Sequence, residues 1–198
     1  MKQLILMLLS THIVAFQVYA HPHMFVDVQP YLTSASNDQV TIHAKWYFDE
    51  FTSEGFLMDY DQNQNGKLDL AEKNTIKKDF GESLKKYGYF IESKLNGKKI
   101  KPKISSFIIN TALRDRKEKS IADITGGKKR SNKVNIVYYE FDIEFSSKLT
   151  KENQLALSFY DTTIYSVLYP IKEVIPSKGI ILKSNKLTKS KCLFEVVF

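Results

Sequence analysis

The chain has 198 residues, a formal charge of +7, 43% hydrophobic and 13% aromatic residues, and one cysteine. These proportions exclude a disordered chain, and a lone cysteine excludes an intrachain disulfide. The positive charge is spread through Lys-rich loops and reads as a solvated surface, the rival being attraction to an anionic membrane face.

Residues 1–20 read as a secretory signal peptide. Lys2 gives a positive start, Leu4 to Leu9 and Ile13 to Phe16 are apolar, and Val18-Tyr19-Ala20 places small residues where a signal peptidase reads. Ser10, Thr11, His12 and Gln17 break the apolar run, which therefore falls short of the roughly 18 residues of a membrane span. No later stretch is apolar enough to cross a bilayer, so no integral membrane segment is expected after cleavage. Export argues against nucleic acid as a partner. Residues 21–198 are expected to form a single domain.

Period-two alternation then dominates. Met24 to Leu32 and Val40 to Phe48 read as strands around a turn at Ser34 to Asp38. Phe51 to Tyr60 reads as a short helix. Ala71 to Tyr87 reads as a longer one, with Ile76, Phe80, Leu84 and Tyr87 on one face and Gly88 ending it. Strands resume at Tyr89 to Leu95 and Lys99 to Lys103, joined by Asn96-Gly97, a hairpin signal. Further strands are expected at Ser106 to Thr111, Val134 to Phe145, Leu155 to Phe159, Ile164 to Leu168, Gly179 to Lys183 and Cys192 to Phe198. Arg114 to Lys133, dense in charge and containing Gly126-Gly127, reads as a long loop. Cys192 sits in an apolar strand context and reads as an inert thiol. The expected class is α+β: a mostly antiparallel β domain of two packed sheets, with a helix-loop-helix inserted at about 51–87.

The sharpest motif is Asp61-Gln62-Asn63-Gln64-Asn65-Gly66-Lys67-Leu68-Asp69-Leu70-Ala71-Glu72. An EF-hand loop takes oxygen donors at positions 1, 3, 5, 9 and 12, a backbone carbonyl at 7 and glycine at 6. Asp61, Asn63, Asn65, Asp69 and Glu72, the Lys67 carbonyl and Gly66 occupy those places. Alternate residues point inward because the loop wraps the ion, and glycine permits the sharp reversal. A frame starting at Asp59 fails, since Gln64 would stand at the glycine position. The motif predicts one Ca²⁺ site. With three charged ligands and a single loop, its affinity suits an extracytoplasmic setting and its role is structural rather than switching.

Cleavage after Ala20 leaves His21-Pro22-His23 at the start of the mature chain. A terminal histidine offers an α-amine and an imidazole, a chelate that suits Cu²⁺, Ni²⁺ or Zn²⁺. His23 adds a second imidazole, and His43 is the only other histidine of the mature chain. The terminal pair are the stronger candidate ligands. The competing reading is a frayed terminus and a hydrogen-bonded strand histidine. Tyr138, Tyr139, Tyr160, Tyr165 and Tyr169 read as core and sheet surface. No Ser/His/Asp order, phosphate-cradling loop or carboxylate pair marks an enzyme.

Five segments in order carry a family resemblance: His21-Pro22-His23, Trp46 to Phe51, the loop from Asp61, Lys86 to Phe90, and Tyr160 to Tyr165. Over about residues 21 to 170 the chain resembles the bacterial family called domain of unknown function 1007. The resemblance implies a periplasmic component of a transport system, working beside a nickel/cobalt-type membrane transporter. It carries the histidine pair onto His21 and His23. The family's Asp-Pro-Thr-Tyr-Tyr reads here as Asp161-Thr162-Thr163-Ile164-Tyr165, keeping its first and last residues. Arg114 to Lys133 and the tail beyond Pro170 look unlike the family.

The expected function is an exported, non-enzymatic calcium-binding protein of a divalent-metal transport system, partnered by an inner-membrane metal transporter. One rival is a periplasmic adhesion or scaffold protein with purely structural calcium. Another is a copper oxidase with a terminal histidine brace, which needs His21 and His43 to reach one ion.

Overall fold

The computed structural model describes residues 24–36, 39–116, 131–145, 153–163, 165–170, 181–188 and 191–197. Residues 1–23, which include the expected signal segment, His21 and His23, and residues 117–130 of the Lys-rich stretch lie outside the described residues.

Two strands open the fold, β1 (Met24–Ser36) and β2 (Gln39–Phe48). Two helices follow, α1 (Glu50–Tyr60) and α2 (Leu70–Lys86). Then come β3 (Ile91–Leu95), β4 (Lys98–Ile100), β5 (Lys103–Asp115), β6 (Lys133–Phe145), β7 (Gln154–Phe159), β8 (Ser166–Pro170), β9 (Ile181–Thr188) and β10 (Lys191–Val197). One five-stranded sheet has the order β5-β6-β2-β1-β8 and the other β4-β3-β7-β10-β9. The β1–β8 pairing is parallel. Every other pairing among the described residues is antiparallel. The fold is β-rich α+β, as the alternation predicts.

That alternation works because each strand buries one face. Along β2, Val40, Ile42, Ala44, Trp46 and Phe48 are buried while the residues between them are partly exposed. On β6 and β7, Phe141, Ile143, Leu155, Leu157 and Phe159 have no exposure. Trp46 joins the two sheets: its ring meets Phe141 edge-on at 4.9 Å and Phe159 at 6.0 Å. Such aromatic pairs add to the area they bury.

Both helices start on an aspartate. Asp49 caps α1, its Oδ1 accepting from Thr52 N–H at 2.7 Å and its Oδ2 from Phe25 N–H at 2.8 Å. Asp69 and Glu72 form a reciprocal capping box on α2. Ile76 anchors α2 in the core with no exposure. Lys73 Nζ donates to Asn110 Oδ1 on β5 at 2.8 Å. Ser53 on α1 is buried, its hydroxyl oxygen accepting from Val137 N–H on β6 at 3.0 Å.

The structure departs from the sequence reading in several places. β1 continues to Ser36, past the expected start of the turn. The strand expected over Lys99 to Lys103 is two, because Pro102 has no N–H to give a ladder. β5 reaches Asp115, into the segment read as loop. β3 begins at Ile91 rather than Tyr89, because Gly88, Tyr89 and Phe90 all adopt left-handed backbone, with φ of 60°, 54° and 51°. Phe80 on α2 and Tyr87 at its C-cap remain 37% and 45% exposed, so this apolar face is incompletely covered.

Candidate functional site

The segment from Asp61 to Glu72 connects α1 to α2, and its side-chain oxygens turn back onto its own backbone. Asp61 is buried; its Oδ1 accepts from Asn65 N–H at 3.2 Å and its Oδ2 from Gly66 N–H at 2.6 Å. Asn63 Oδ1 accepts from Asn65 N–H at 3.1 Å, and Asn65 Oδ1 from Lys67 N–H at 2.8 Å. These are Asx turns, which bend a chain at short polar residues. Asp69 Oδ1 accepts from Glu72 N–H at 2.9 Å. Glu72 is also buried, and bridges both ends of the loop: Oε2 accepts from Asp69 N–H at 2.7 Å and Oε1 from Gln62 N–H at 2.8 Å.

Gly66 carries φ of 75°, and a Cβ there would stand 2.6 Å from Asn135 Nδ2 on β6. The loop lies against the sheet here, and the positive φ is what calls for glycine; a Cβ would also have to move the end of the Asn135 side chain. Leu68 is buried in the core cluster and pins the other side.

The donor set consists of hard oxygens: three carboxylates, two amide carbonyls and the Lys67 backbone carbonyl. That chemistry suits Ca²⁺ rather than a softer transition metal. Each carboxylate oxygen has lone pairs beyond the one its backbone N–H uses. Among the described residues, no three His, Cys, Asp or Glu side chains are grouped as a metal cluster. The loop's charged side chains thus rest on backbone amides and are not gathered around a common point.

His43 lies elsewhere. It pairs across the sheet with Tyr31, seven positions along β1 from Met24, or about 24 Å of strand. His43 Nδ1 stands 2.7 Å from Asp142 Oδ1, and Nε2 stands 3.3 Å from Glu140 Oε2. Its ring stacks on Tyr31 at 5.5 Å. Both nitrogens thus face carboxylates.

Two aspartates in the motif segments have roles that the sequence reading did not assign. Asp49 is the α1 cap, a role that its place just before a helix signals. Asp161 is 2% exposed and holds its turn. Its Oδ1 accepts from Thr163 N–H at 2.8 Å and Thr163 Oγ1–H at 2.6 Å, and its Oδ2 accepts from Ser166 N–H at 2.9 Å.

A two-sheet β domain carrying a helix pair and an oxygen-rich connecting loop is thus the class that fold and site define. The chain belongs to the family described as "Protein of unknown function (DUF1007)", whose model matches residues 6–197. The match runs through the Lys-rich stretch and the tail, both of which the sequence reading set apart from the family. A similar protein is the "Uncharacterized 15.5 kDa protein in trpE 3'region" of Spirochaeta aurantia, 30% identical over 111 residues, or 56% of this chain and 64% of that protein. The chain therefore spans less than two thirds of the length of this relative. No solved structure matches significantly. No helix among the described residues is long and apolar enough to cross a membrane.

Proposed function

We propose that the chain is an exported, periplasmic, non-enzymatic protein whose Asp61–Glu72 segment is an EF-hand loop holding one Ca²⁺ ion. In this reading it serves as the accessory component of a divalent-metal transport system. The observation that carries the calcium half is the ladder of side-chain-to-backbone hydrogen bonds at Asp61, Asn63, Asn65, Asp69 and Glu72. It bends the loop at the donor positions of an EF-hand. Asp61, Asn63, Asn65, Asp69 and Glu72 would supply side-chain oxygens, and Lys67 its carbonyl. The ion would add a tie between two helices that already meet through Phe56, Tyr60 and Phe80.

The transport half rests on what the family resemblance implies and on the His21-Pro22-His23 start that cleavage after Ala20 would leave. His21 and His23 would capture Ni²⁺, Zn²⁺ or Cu²⁺ and pass it to an inner-membrane transporter; His43, held between two carboxylates, stands outside that pair. Calorimetric Ca²⁺ titration of the wild type and Glu72→Gln tests the first half, and equal affinities defeat it. Titration with Ni²⁺, Zn²⁺ and Cu²⁺ of the exported protein and its His21→Ala, His23→Ala variant tests the second. The double variant is expected to lose most of the transition-metal binding, and binding that survives it removes the claim.

A further inference from the structure

A cavity of about 530 Å³ opens between α2, the Gly88–Phe90 turn and the ends of β1, β2 and β8, apart from the Asp61–Glu72 loop. Val26, Trp46, Phe48, Phe56, Phe90 and Leu168 give it an apolar, largely aromatic wall. Interiors close-packed at crystal density rarely leave such a space, and its size is that of a small-molecule site. Its mouth runs along α2, where Phe80, Ser83 and Tyr87 line the cavity and are exposed. Thr163 and Tyr165, just before β8, are exposed lining residues as well.

Charge is divided between the mouth and the interior. At the mouth, Lys86 Nζ stands over the Tyr87 ring, 5.6 Å from its centre. Among the described residues no carboxylate pairs with this ammonium. Inside, Asp161 is the one charged residue of the described lining, and it is 2% exposed. Its oxygens accept from Thr163 N–H, Thr163 Oγ1–H and Ser166 N–H. The wall itself is a stack of rings: Tyr87 lies on Phe90 at 5.7 Å and Phe90 on Trp46 at 6.3 Å, with interplanar angles of 19° and 12°. Tyr89 and Phe90 hold left-handed backbone here, with φ of 54° and 51°, and Tyr160 N–H pins the turn by donating to the Phe90 carbonyl at 2.8 Å. Strain of this kind persists only where its surroundings enforce it, and it clusters at ligand clamps.

The two charges set a ligand's direction. An anionic group is drawn to Lys86 and opposed by Asp161, so it stays at the mouth. The C-terminal end of α2 carries about half a negative charge, which the full charge of Lys86 exceeds. Apolar matter gains by leaving water for the aromatic wall. We propose that the cavity binds a single-chain anionic amphiphile of the fatty-acid class. Its chain lies against the Tyr87, Phe90 and Trp46 stack, and its carboxylate stays at the mouth beside Lys86.

Trp46 is the only tryptophan of the chain, so its emission reports on the cavity. The exported protein is titrated with dodecanoate, dodecanol and dodecyltrimethylammonium, each below its micellar concentration. EDTA is present throughout, so that the outcome does not depend on the Ca²⁺ reading. All three are expected to bind, dodecanoate at least about threefold more tightly than the cationic probe. Lys86→Glu should invert that order and leave dodecanol unchanged. Lys85→Glu changes the net charge equally, but only residue 86 follows Ser83 by three positions and so shares its side of the helix; Lys85→Glu should keep the order. Ser83→Phe, at an exposed position of the mouth, should weaken all three probes. Failure of dodecanoate to bind overturns the proposal. So does a preference that Lys86→Glu leaves standing or that Lys85→Glu abolishes equally, or binding indifferent to Ser83→Phe.

Discussion

Glu72→Gln separates the hydrogen-bonding role of this side chain from any role in holding an ion. The carboxylate is 5% exposed and takes one backbone N–H on each oxygen, from Gln62 and Asp69. Glutamine has the same shape but a single acceptor, so one of the two N–H groups must face an NH₂. A hydrogen bond to a charged group contributes about 1.5–3 kcal/mol. The negative charge in the first turn of α2 contributes about 0.3–1 kcal/mol more through the helix dipole. The variant should therefore be roughly 2–3 kcal/mol less stable in EDTA, a fall of roughly 5–10 °C in Tm for a chain of this size. Urea titrations with and without Ca²⁺ measure the second role. A ligand at 100 times its Kd adds about 2.7 kcal/mol to the wild type, and the variant, short of its two-oxygen ligand, should gain far less. Equal stability in EDTA refutes the hydrogen-bond reasoning. A wild type whose midpoint ignores Ca²⁺ refutes the ion.

Gly66→Ala tests the backbone of the same loop. Holding alanine at φ of 75° costs about 1–2 kcal/mol, and its Cβ must also displace Asn135 Nδ2 from 2.6 Å. Thermal melts in EDTA should show the loss, and adding Asn135→Ala should recover only the steric part. Tyr139→Phe tests the alkaline limb of stability. Burial pushes the Tyr139 phenol well above its ordinary range. Its contribution is therefore whole below the unfolded value of about 10 and drains away as pH rises past it, by about 1.4 kcal/mol per pH unit. Denaturant midpoints between pH 9 and pH 11 should fall less steeply in the variant. Tyr31, also pushed up by burial, retains its own share of the slope; identical slopes in the two proteins would count against the argument.

The strands and the break between the two helices were legible because each is written in near neighbours. Val40, Ile42, Ala44, Trp46 and Phe48 alternate with polar residues, and a sheet with one covered face turns that period directly into burial. The order Asp61, Asn63, Asn65, Gly66, Asp69, Glu72 is local too, and the hydrogen bonds that bend the loop all run within it. The strand limits erred where backbone conformation overrode side-chain pattern. Tyr89 and Phe90 have strong β propensity, yet the chain must leave α2 at Gly88 and turn before it can pair with β7. Left-handed angles at two aromatic residues are not something propensity reveals.

What stayed hidden depends on partners far apart in sequence. His43 could be suspected as a ligand while nothing local showed that Asp142 and Glu140, on a strand about 100 residues later, would face both its nitrogens. The periodicity of α2 correctly put Ile76, Phe80, Leu84 and Tyr87 on one face, but periodicity cannot say what that face meets. Ile76 meets packed core, whereas the residues further along meet an open space walled by β1, β2 and β8. A helical stripe that closed onto the sheet along its whole length would have needed another large side chain there. Instead, the turn at Gly88–Phe90 diverts the chain and puts Phe90 against Trp46. The same turn that spoils the strand reading thus supplies Phe90 to the wall of that space.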